Sequence, residues 1–129
     1  MDVATFLALV ITTIHAVKVE VGLLGSFTCS LNNDPVTLEL WEWDPLEDDN
    51  LSSKTVSVGE KFYLSGVEDE WFYIQPYIII RHRCNFCGED AEIIHHFGNL
   101  KKSANFTFYD YTVLYPTVHH HQTSLQFLR

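Results

Sequence analysis

The chain has 129 residues, of which 17 are acidic and 8 are Lys or Arg, so its formal net charge is −9. This length fits a single domain, and no change in composition marks an internal boundary. The acidic balance argues against a nucleic-acid-binding surface, which would be basic, and against electrostatic attachment to anionic lipid. We therefore expect one acidic domain whose partners do not include nucleic acid.

The N-terminal residues 1–16 are predicted to be a secretory signal peptide. The stretch 3–14 is uncharged and mostly apolar, and Ala16 supplies the small residue of a cleavage point. A membrane-spanning helix needs about 20 apolar residues, so this stretch is too short to be one. The start Met1-Asp2 lacks the usual basic residues, and a buried first strand or helix is the alternative. We expect a secreted, extracellular chain that begins at Val17 and has no transmembrane segment.

The remainder of the chain alternates apolar and polar residues with a period of two, which predicts β-strands. The first strand is expected to face inward with its odd-numbered residues, which are Val19, Val21, Gly25, Phe27, Cys29 and Leu31. Residues 32–35 have the composition of a turn. The second strand is expected to point Val36, Leu38 and Leu40 inward.

The middle of the chain predicts further strands. Residues 45–53 have the composition of a polar loop, and short strands are expected at 55–58 and 61–64. Residues 71–84 form the longest strand signal, in which Pro76 belongs to the first turn or to an edge. The inward face of this strand is expected to carry Ile78, Ile80, His82 and Cys84, and the opposite, partly solvated face Tyr77, Ile79, Arg81 and Arg83.

The last third of the chain continues this pattern. Residues 89–94 fit a short helix or a strand, and the aromatic stretch 104–114 predicts a final strand. Strands at short spacing with turn signals between them favour an antiparallel β-sandwich. This sandwich domain is expected to occupy residues 17–115. The histidine-containing tail 116–129 is either an added strand or a disordered extension.

Several motifs follow one another in a set order along the chain. They are Cys29 in the first strand, Asp48, Asp49 and Leu51 in the acidic loop, the alternation Phe62, Leu64 and Gly66, then Pro76, Ile80, His82 and Cys84, and finally Tyr109, Asp110, Thr112 and Leu114. This order resembles the nematode transthyretin-like family of small secreted proteins, over roughly residues 21–115. The resemblance implies an all-β Greek-key sandwich of about seven to eight antiparallel strands.

Three cysteines, Cys29, Cys84 and Cys87, are expected to be oxidised where geometry permits, because the chain is predicted to be secreted. We predict a disulfide between Cys29 and Cys84, since both lie on inward faces near strand ends. Closure of Cys84 onto Cys87 is the alternative, and the partner of Cys87 is left open. The C-x-x-C spacing follows a strand and does not open a helix, so thioredoxin-like chemistry is not predicted.

The histidines offer few ligands for one metal ion. His82 matches the H-x-C motif and is predicted to be a buried structural residue. His95 and His96 are adjacent in a strand and therefore point to opposite faces. His119 and His121 could chelate a metal ion from one face, but no third ligand follows at a defined spacing. The sequence therefore predicts no metal site and no cofactor.

Carboxylates are dense at Glu42, Asp44, Glu47, Asp48 and Asp49. Calcium prefers such oxygen ligands, but this segment lacks the D-x-D-x-D-G spacing of a preformed calcium loop. We therefore predict a solvated acidic loop whose charges limit self-association.

Two Asn-x-Ser/Thr motifs predict N-glycosylation, at Asn50 and at Asn105.

Some further candidate residues are aromatic or basic and lie beside loops or on the outward strand face. These candidates for a contact surface are Trp43, Trp71, Phe72, Arg81 and Arg83. Aromatic and arginine side chains are the commonest anchors of binding interfaces.

No set of nucleophile, base and orienting residue is evident, so we predict that the protein is not an enzyme. The leading hypothesis is a secreted binding or carrier module whose ligand is an extracellular protein at the cell surface, a lipid headgroup or a small apolar molecule. A metal-binding extracellular protein that uses the histidine tail is the alternative. A hydroxyisourate-hydrolase-like enzyme is less well supported, because the chain ends at 126–129 without the Y-R-G-S of those enzymes. Ligand identity and oligomeric state are not predicted.

Overall fold

The computed structural model describes residues 17–113, and within this range the chain contains strands and no helix. The seven strands are β1 (Val17–Thr28), β2 (Val36–Glu42), β3 (Asp49–Val56), β4 (Phe62–Glu70), β5 (Pro76–His82), β6 (Ala91–His96) and β7 (Ala104–Thr112). The all-β prediction is confirmed. The predicted signal peptide and the tail 116–129 lie outside the described residues. In the part of the chain that is described, no helix is long and apolar enough to span a membrane.

The strands form two sheets that pack as a sandwich. One sheet has the order β4-β1-β7 and the other the order β3-β2-β5-β6. All neighbouring strands run antiparallel except β1 and β7, which are parallel. The sandwich prediction is confirmed, while the parallel pair departs from a wholly antiparallel arrangement. Alternation of residues reports which face a strand buries, but it carries no information on the direction of the neighbouring strand.

The core lies between the sheets and is made of every second residue of each strand. In β2, in β5 and just after β5, the inward residues predicted from the sequence are buried, with exposed fractions of 3% or less: Val36, Leu38, Leu40, Ile78, Ile80, His82 and Cys84. The sheets approach closely at Gly66 of β4. A Cβ atom there would lie 2.6 Å from Cβ of Leu51, so glycine is required at this position.

The first strand differs slightly from its prediction. Val19, Val21 and Phe27 are buried as expected. The strand ends at Thr28, and Leu31 is exposed at 36% instead of facing inward. The prediction for Leu31 is wrong because its alternation continues into a turn, where no partner strand maintains the pleat.

The strand boundaries in the middle of the chain were partly mispredicted. The predicted polar loop 45–53 is wrong from Asp49 onward, where β3 begins and pairs with β2. Most of β3 is solvent-exposed at the sheet edge, so its backbone hydrogen bonds, and not apolar side chains, define it. The next strand, β4, continues to Glu70, well beyond the predicted end at residue 64.

The long strand predicted over 71–84 is also shorter than expected. Residues 71–75 connect β4 to β5, and Ile74 forms a β-bridge in this segment through two backbone hydrogen bonds with Leu100. Pro76 is the first residue of β5, as predicted for a proline in a strand. The ambiguous window 89–94 is strand β6, which begins at Ala91.

The sandwich has two ends of different composition. We call the end where β1 and β5 finish the disulfide end, because Cys29 and Cys84 follow these strands and are bonded to each other. We call the opposite end, where β2 and β4 finish at Glu42 and Glu70, the acidic end. The loops 43–48 and 71–75 belong to the acidic end.

Candidate functional site

At the acidic end, strand β2 places a carboxylate inside the sandwich. Val36, Leu38 and Leu40 face inward, and Glu42 occupies the next inward position. Glu42 is only 2% exposed. Its Oε1 accepts a hydrogen bond from the backbone N–H of Gln75 at 3.4 Å, and its Oε2 has no partner. Burial of a carboxylate oxygen without a partner is energetically costly.

Strand β4, on the facing sheet, also carries carboxylates on its inward face. Its inward face carries Phe62, Leu64 and Gly66, and then continues with Glu68 and Glu70, both half-buried. In the register with β1, Glu68 lies opposite Val19. The inward faces of β2 and β4 therefore both change from apolar to acidic residues at the same end of the molecule.

Three of these groups converge. One carboxylate oxygen from each of Glu42, Asp44 and Glu70 lies within 4.8 Å of the other two. Burial raises the pKa of Glu42 to about 7, and the charges of Glu70, Glu68 and Asp44 act in the same direction. The hydrogen bond from Gln75 opposes this rise. Burial likewise raises the pKa of Glu68.

Asp48 holds the connecting loop in position. Tyr77 Oη donates to Asp48 Oδ2 at 2.6 Å, and the backbone N–H of Asp44 donates to Asp48 Oδ1 at 3.1 Å. Both hydrogen bonds lower the pKa of Asp48, and the bond from Tyr77 has the larger effect. Burial and the bond to Asp48 raise the pKa of Tyr77 to about 12. Asp48 is thus a structural residue that ties loop 43–48 to β5 and places Asp44 near Glu42.

The prediction that Glu42 belongs to a solvated acidic loop is wrong, because Glu42 ends a strand and is buried. Its position could have been found from the sequence by extending the alternation of Val36, Leu38 and Leu40 by one more step. Glu70 had no such signal, since only the packing of β4 against β2 brings it to Glu42.

The predicted aromatic contact residues also lie at the acidic end. Trp43 is 47% exposed, Trp71 59% and Phe72 82%. The backbone N–H of Trp43 donates to the carbonyl oxygen of Gln75 at 2.9 Å, which holds loop 43–48 beside loop 71–75. Three exposed aromatic side chains therefore project from two adjoining loops.

The two predicted arginines are located elsewhere. Arg81 Nε and Nη1 contact the carboxylates of Glu39 and Glu92 at 3.1 and 2.7 Å on the outer face of the β3-β2-β5-β6 sheet. Arg83 Nε lies 3.3 Å from Asp90, on the disulfide-end side. Both arginines line an open, charged groove of about 880 Å³. The structure therefore separates the five predicted contact residues into two surfaces.

The disulfide end contains the predicted Cys29–Cys84 bond, with Cα atoms 6.0 Å apart. Cys87 is exposed and unpaired. His82 is 3% exposed, its Nδ1 accepts a hydrogen bond from the backbone N–H of Cys84 at 3.1 Å, and its Nε2 has no partner. Burial lowers the pKa of His82, so the neutral imidazole is favoured. His82 is thus buried and hydrogen-bonded to the backbone, and its purely structural role stays a prediction.

The adjacent histidines of β6 face opposite sides of the sheet, as predicted. His95 Nε2 lies 2.8 Å from Tyr111 Oη on the inner side, and burial lowers the pKa of His95. The ring of His96 packs against Tyr77 on the outer side, with centroids 5.2 Å apart. The tail histidines His119 and His121 lie outside the described residues.

Both asparagines of the glycosylation motifs are exposed. Asn50 lies on strand β3 and not in a loop as predicted, and its side chain exchanges hydrogen bonds with Ser53. Asn105 lies on β7, and its side-chain oxygen covers the Cα of Gly22. Glycosylation at both positions stays a prediction.

Comparison with known families supplies the classification. The family model described as TTR-52, transthyretin-like family, matches residues 24–95, which is more than half of the chain. The chain belongs to the transthyretin-like family. Searches of curated proteins and of solved structures give no match. The matched range of this transthyretin-like domain includes the disulfide, the three converging carboxylates and the exposed aromatic residues.

Proposed function

We propose that this transthyretin-like domain is a secreted, non-catalytic binding or carrier module that contacts its partner through the aromatic loops of the acidic end. The observation that carries this proposal is the exposure of Trp43, Trp71 and Phe72 on two loops held together by a backbone hydrogen bond. Exposed clusters of large apolar side chains are typical of contact sites, and tryptophan is among the commonest interface anchors.

The charge around these aromatic residues indicates the class of partner. The segments 43–49 and 68–70 together contain seven acidic residues, all exposed or half-buried, and no Lys or Arg. The neighbouring loop adds the exposed Lys101 and Lys102, so this surface is net negative. Such a surface complements a protein that presents basic and apolar groups, and it repels anionic lipid. We therefore favour an extracellular protein as the partner over a lipid headgroup.

A small apolar molecule is less well supported as the ligand. Pockets for such ligands are concave and mostly apolar. The groove near Arg81 and Arg83 is open and lined mainly by charged residues, including Glu89, Asp90 and Glu92.

The non-catalytic and secreted parts of the proposal have separate support. The backbone N–H of Cys84, whose sulfur is in the disulfide, donates to buried His82, and half-buried His95 is hydrogen-bonded to Tyr111, so each of these histidines has a structural partner. A disulfide between distant strands is typical of proteins in oxidising compartments.

The test compares aromatic residues at the two ends. The triple variant Trp43→Ser, Trp71→Ser and Phe72→Ser should lose at least about tenfold in binding of the oxidised, labelled protein to intact cells, because interface aromatics carry much of the binding energy. Phe86→Ser is the matched control, since Phe86 is 92% exposed on the loop after β5 at the disulfide end. Binding should be measured by flow cytometry, with the fold of each variant checked by circular dichroism.

Treating the cells with protease beforehand distinguishes the partners. Loss of binding after protease treatment supports a protein partner. Binding that survives the treatment, together with capture by phospholipid vesicles, would indicate a lipid instead. Unchanged cell binding by a folded triple variant would contradict the proposal.

A further inference from the structure

Three carboxylates from different parts of the chain meet between the sheets at the acidic end. Glu42 ends β2, Asp44 follows it in the loop, and Glu70 ends β4. One oxygen from each lies within 4.8 Å of the others. Two oxygens that coordinate one Ca²⁺ at about 2.3–2.6 Å can be up to about 5 Å apart, so a single ion can reach all three. We propose that Glu42, Asp44 and Glu70 form a calcium-binding site.

A second observation points to a missing cation. Glu42 is 98% buried, because only 2% of it is exposed, yet its Oε2 has no hydrogen-bond partner in the structure. A buried carboxylate normally has a cationic partner or a full set of hydrogen bonds, since its desolvation is otherwise uncompensated. A metal ion coordinated by this oxygen supplies the compensation.

Within residues 17–113, no ion pair involves Glu42, Asp44 or Glu70. Lys101 and Lys102, in the loop between β6 and β7, are exposed. The described ion pairs of Arg81 and Arg83 are made with Glu39, Glu92 and Asp90, all outside the cluster. Lys18, the basic residue of β1, is exposed and lies in register with Asp69 on the outward face. Glu68, the remaining inward residue of this part of β4, adds a further negative charge.

The donor set selects the class of metal. All three ligands are carboxylate oxygens, whereas zinc and copper sites in proteins usually include histidine or cysteine. Magnesium requires a near-ideal octahedron, while calcium accepts an irregular shell of six to eight oxygens. Asp44 and Glu70 are half-buried, so water and Glu68 can complete such a shell. Extracellular calcium modules bind with a Kd of about 10⁻⁴ to 10⁻³ M, and we expect an affinity in this range.

The decisive experiment is calorimetric titration of the oxidised full-length protein with CaCl₂ alone, after metal has been removed with EDTA. Thermal unfolding is then measured in CaCl₂ and in MgCl₂. We expect one calcium ion per chain and a higher Tm in CaCl₂ than in MgCl₂. Glu42→Gln should weaken calcium binding at least tenfold. Glu47→Gln is the matched control, because it removes one charge from an exposed position in the same acidic segment.

A second readout reports the location of the ion. Terbium commonly substitutes for calcium and emits when a nearby tryptophan transfers energy to it. Trp43 lies between two of the proposed ligands and Trp71 follows the third, so bound terbium should emit on tryptophan excitation. Added calcium should displace the terbium and remove its emission. Glu42→Gln should abolish the emission, while Glu47→Gln should retain it.

Several outcomes would overturn the site. The first is the absence of calcium binding at about 10 mM, which is ten times the weakest expected Kd. The second is an equal loss of calcium affinity in Glu42→Gln and Glu47→Gln, which would indicate general screening of negative charge. If Glu42→Gln does not fold, Glu70→Gln replaces it, since Glu70 is only half-buried. The titration uses calcium alone, so its result does not depend on the proposed protein partner.

Discussion

The two ends of the sandwich each bury one titratable side chain at the last inward position of a strand, but they treat it differently. His82 ends β5 at the disulfide end, and Glu42 ends the antiparallel neighbour β2 at the acidic end. His82 Nδ1 accepts the N–H of Cys84, its Nε2 has no partner, and burial favours the neutral ring beside the disulfide. Glu42 also has one atom without a partner, but that atom belongs to a carboxylate. Glu42 has one long hydrogen bond and is surrounded by carboxylates.

This difference supports the proposed division of the molecule into a structural end and a binding end. At the disulfide end, burial favours the neutral form of His82, and the covalent bond joins the two sheets. At the acidic end, the unpartnered oxygen of Glu42 and the exposed aromatic loops are features that contribute nothing evident to stability. The same strand pattern thus produces an end that is closed by the disulfide and an end that we propose binds ligands.

The largest expected effect concerns the covalent bond. Replacing both Cys29 and Cys84 by serine should lower the free energy of unfolding by about 4 kcal/mol, because the bond restrains the unfolded chain over a sequence separation of 55. Urea unfolding of the variant and the oxidised wild type measures this. Cys87→Ser, at the exposed free cysteine, is the control and should change stability by less than about 0.5 kcal/mol. A Cys84–Cys87 bond in non-reducing peptide mapping would contradict the assigned pairing.

The second prediction makes the two ends respond with opposite signs. In EDTA at pH 8, Glu42→Gln should raise the free energy of unfolding by about 1–3 kcal/mol, because it removes a buried charge that lacks a partner. His82→Leu should lower it by a similar amount, since the buried N–H of Cys84 loses its acceptor. Urea unfolding of both variants checks the pair. A loss of stability in Glu42→Gln would mean that the carboxylate is compensated by a group other than a metal ion.

Acid should weaken the disulfide end. Burial lowers the pKa of His82 below its ordinary value of 6.5, so at mildly acidic pH the unfolded chain binds a proton that the folded chain does not. Stability is therefore complete above about pH 6.5 and falls as the pH drops below it, by at most about 1.4 kcal/mol per pH unit for one proton.

The variant His82→Asn tests this dependence, because its amide oxygen can still accept the N–H of Cys84 but the side chain does not titrate. The free energy of unfolding should fall less between pH 7 and pH 5 in His82→Asn than in the wild type. His95→Gln should reduce the slope further, since burial also lowers the pKa of His95. An identical slope in the wild type and the double variant would exclude both histidines as its source.

The smallest effect separates binding from stability. Phe72→Ser at the acidic end and Phe86→Ser at the disulfide end should each change the free energy of unfolding by less than about 0.5 kcal/mol, because both side chains are largely exposed. Only Phe72→Ser should weaken binding to cells. A large loss of stability in Phe72→Ser would show that this residue packs in the fold and would remove it from the contact surface.

Much of the fold could be predicted because alternation of residues is a local property. The inward faces of β2 and β5 and the Cys29–Cys84 bond followed from it and are present in the structure. Residues 49–54 of β3 were missed because an edge strand needs backbone partners more than apolar side chains. The parallel pairing of β7 with β1 was missed because strand direction depends on the path of the whole chain.

The sequence by itself determined the all-β class, the sandwich and the buried faces, because these depend on residues that are neighbours along one strand. It also identified the aromatic residues Trp43, Trp71 and Phe72 as contact candidates. Only the tertiary structure showed that Glu70 meets Glu42 and Asp44, and that Arg81 and Arg83 lie on a different surface from the aromatic loops. The physical reason is that convergence between β2 and β4 arises from packing of two sheets, which no local pattern encodes.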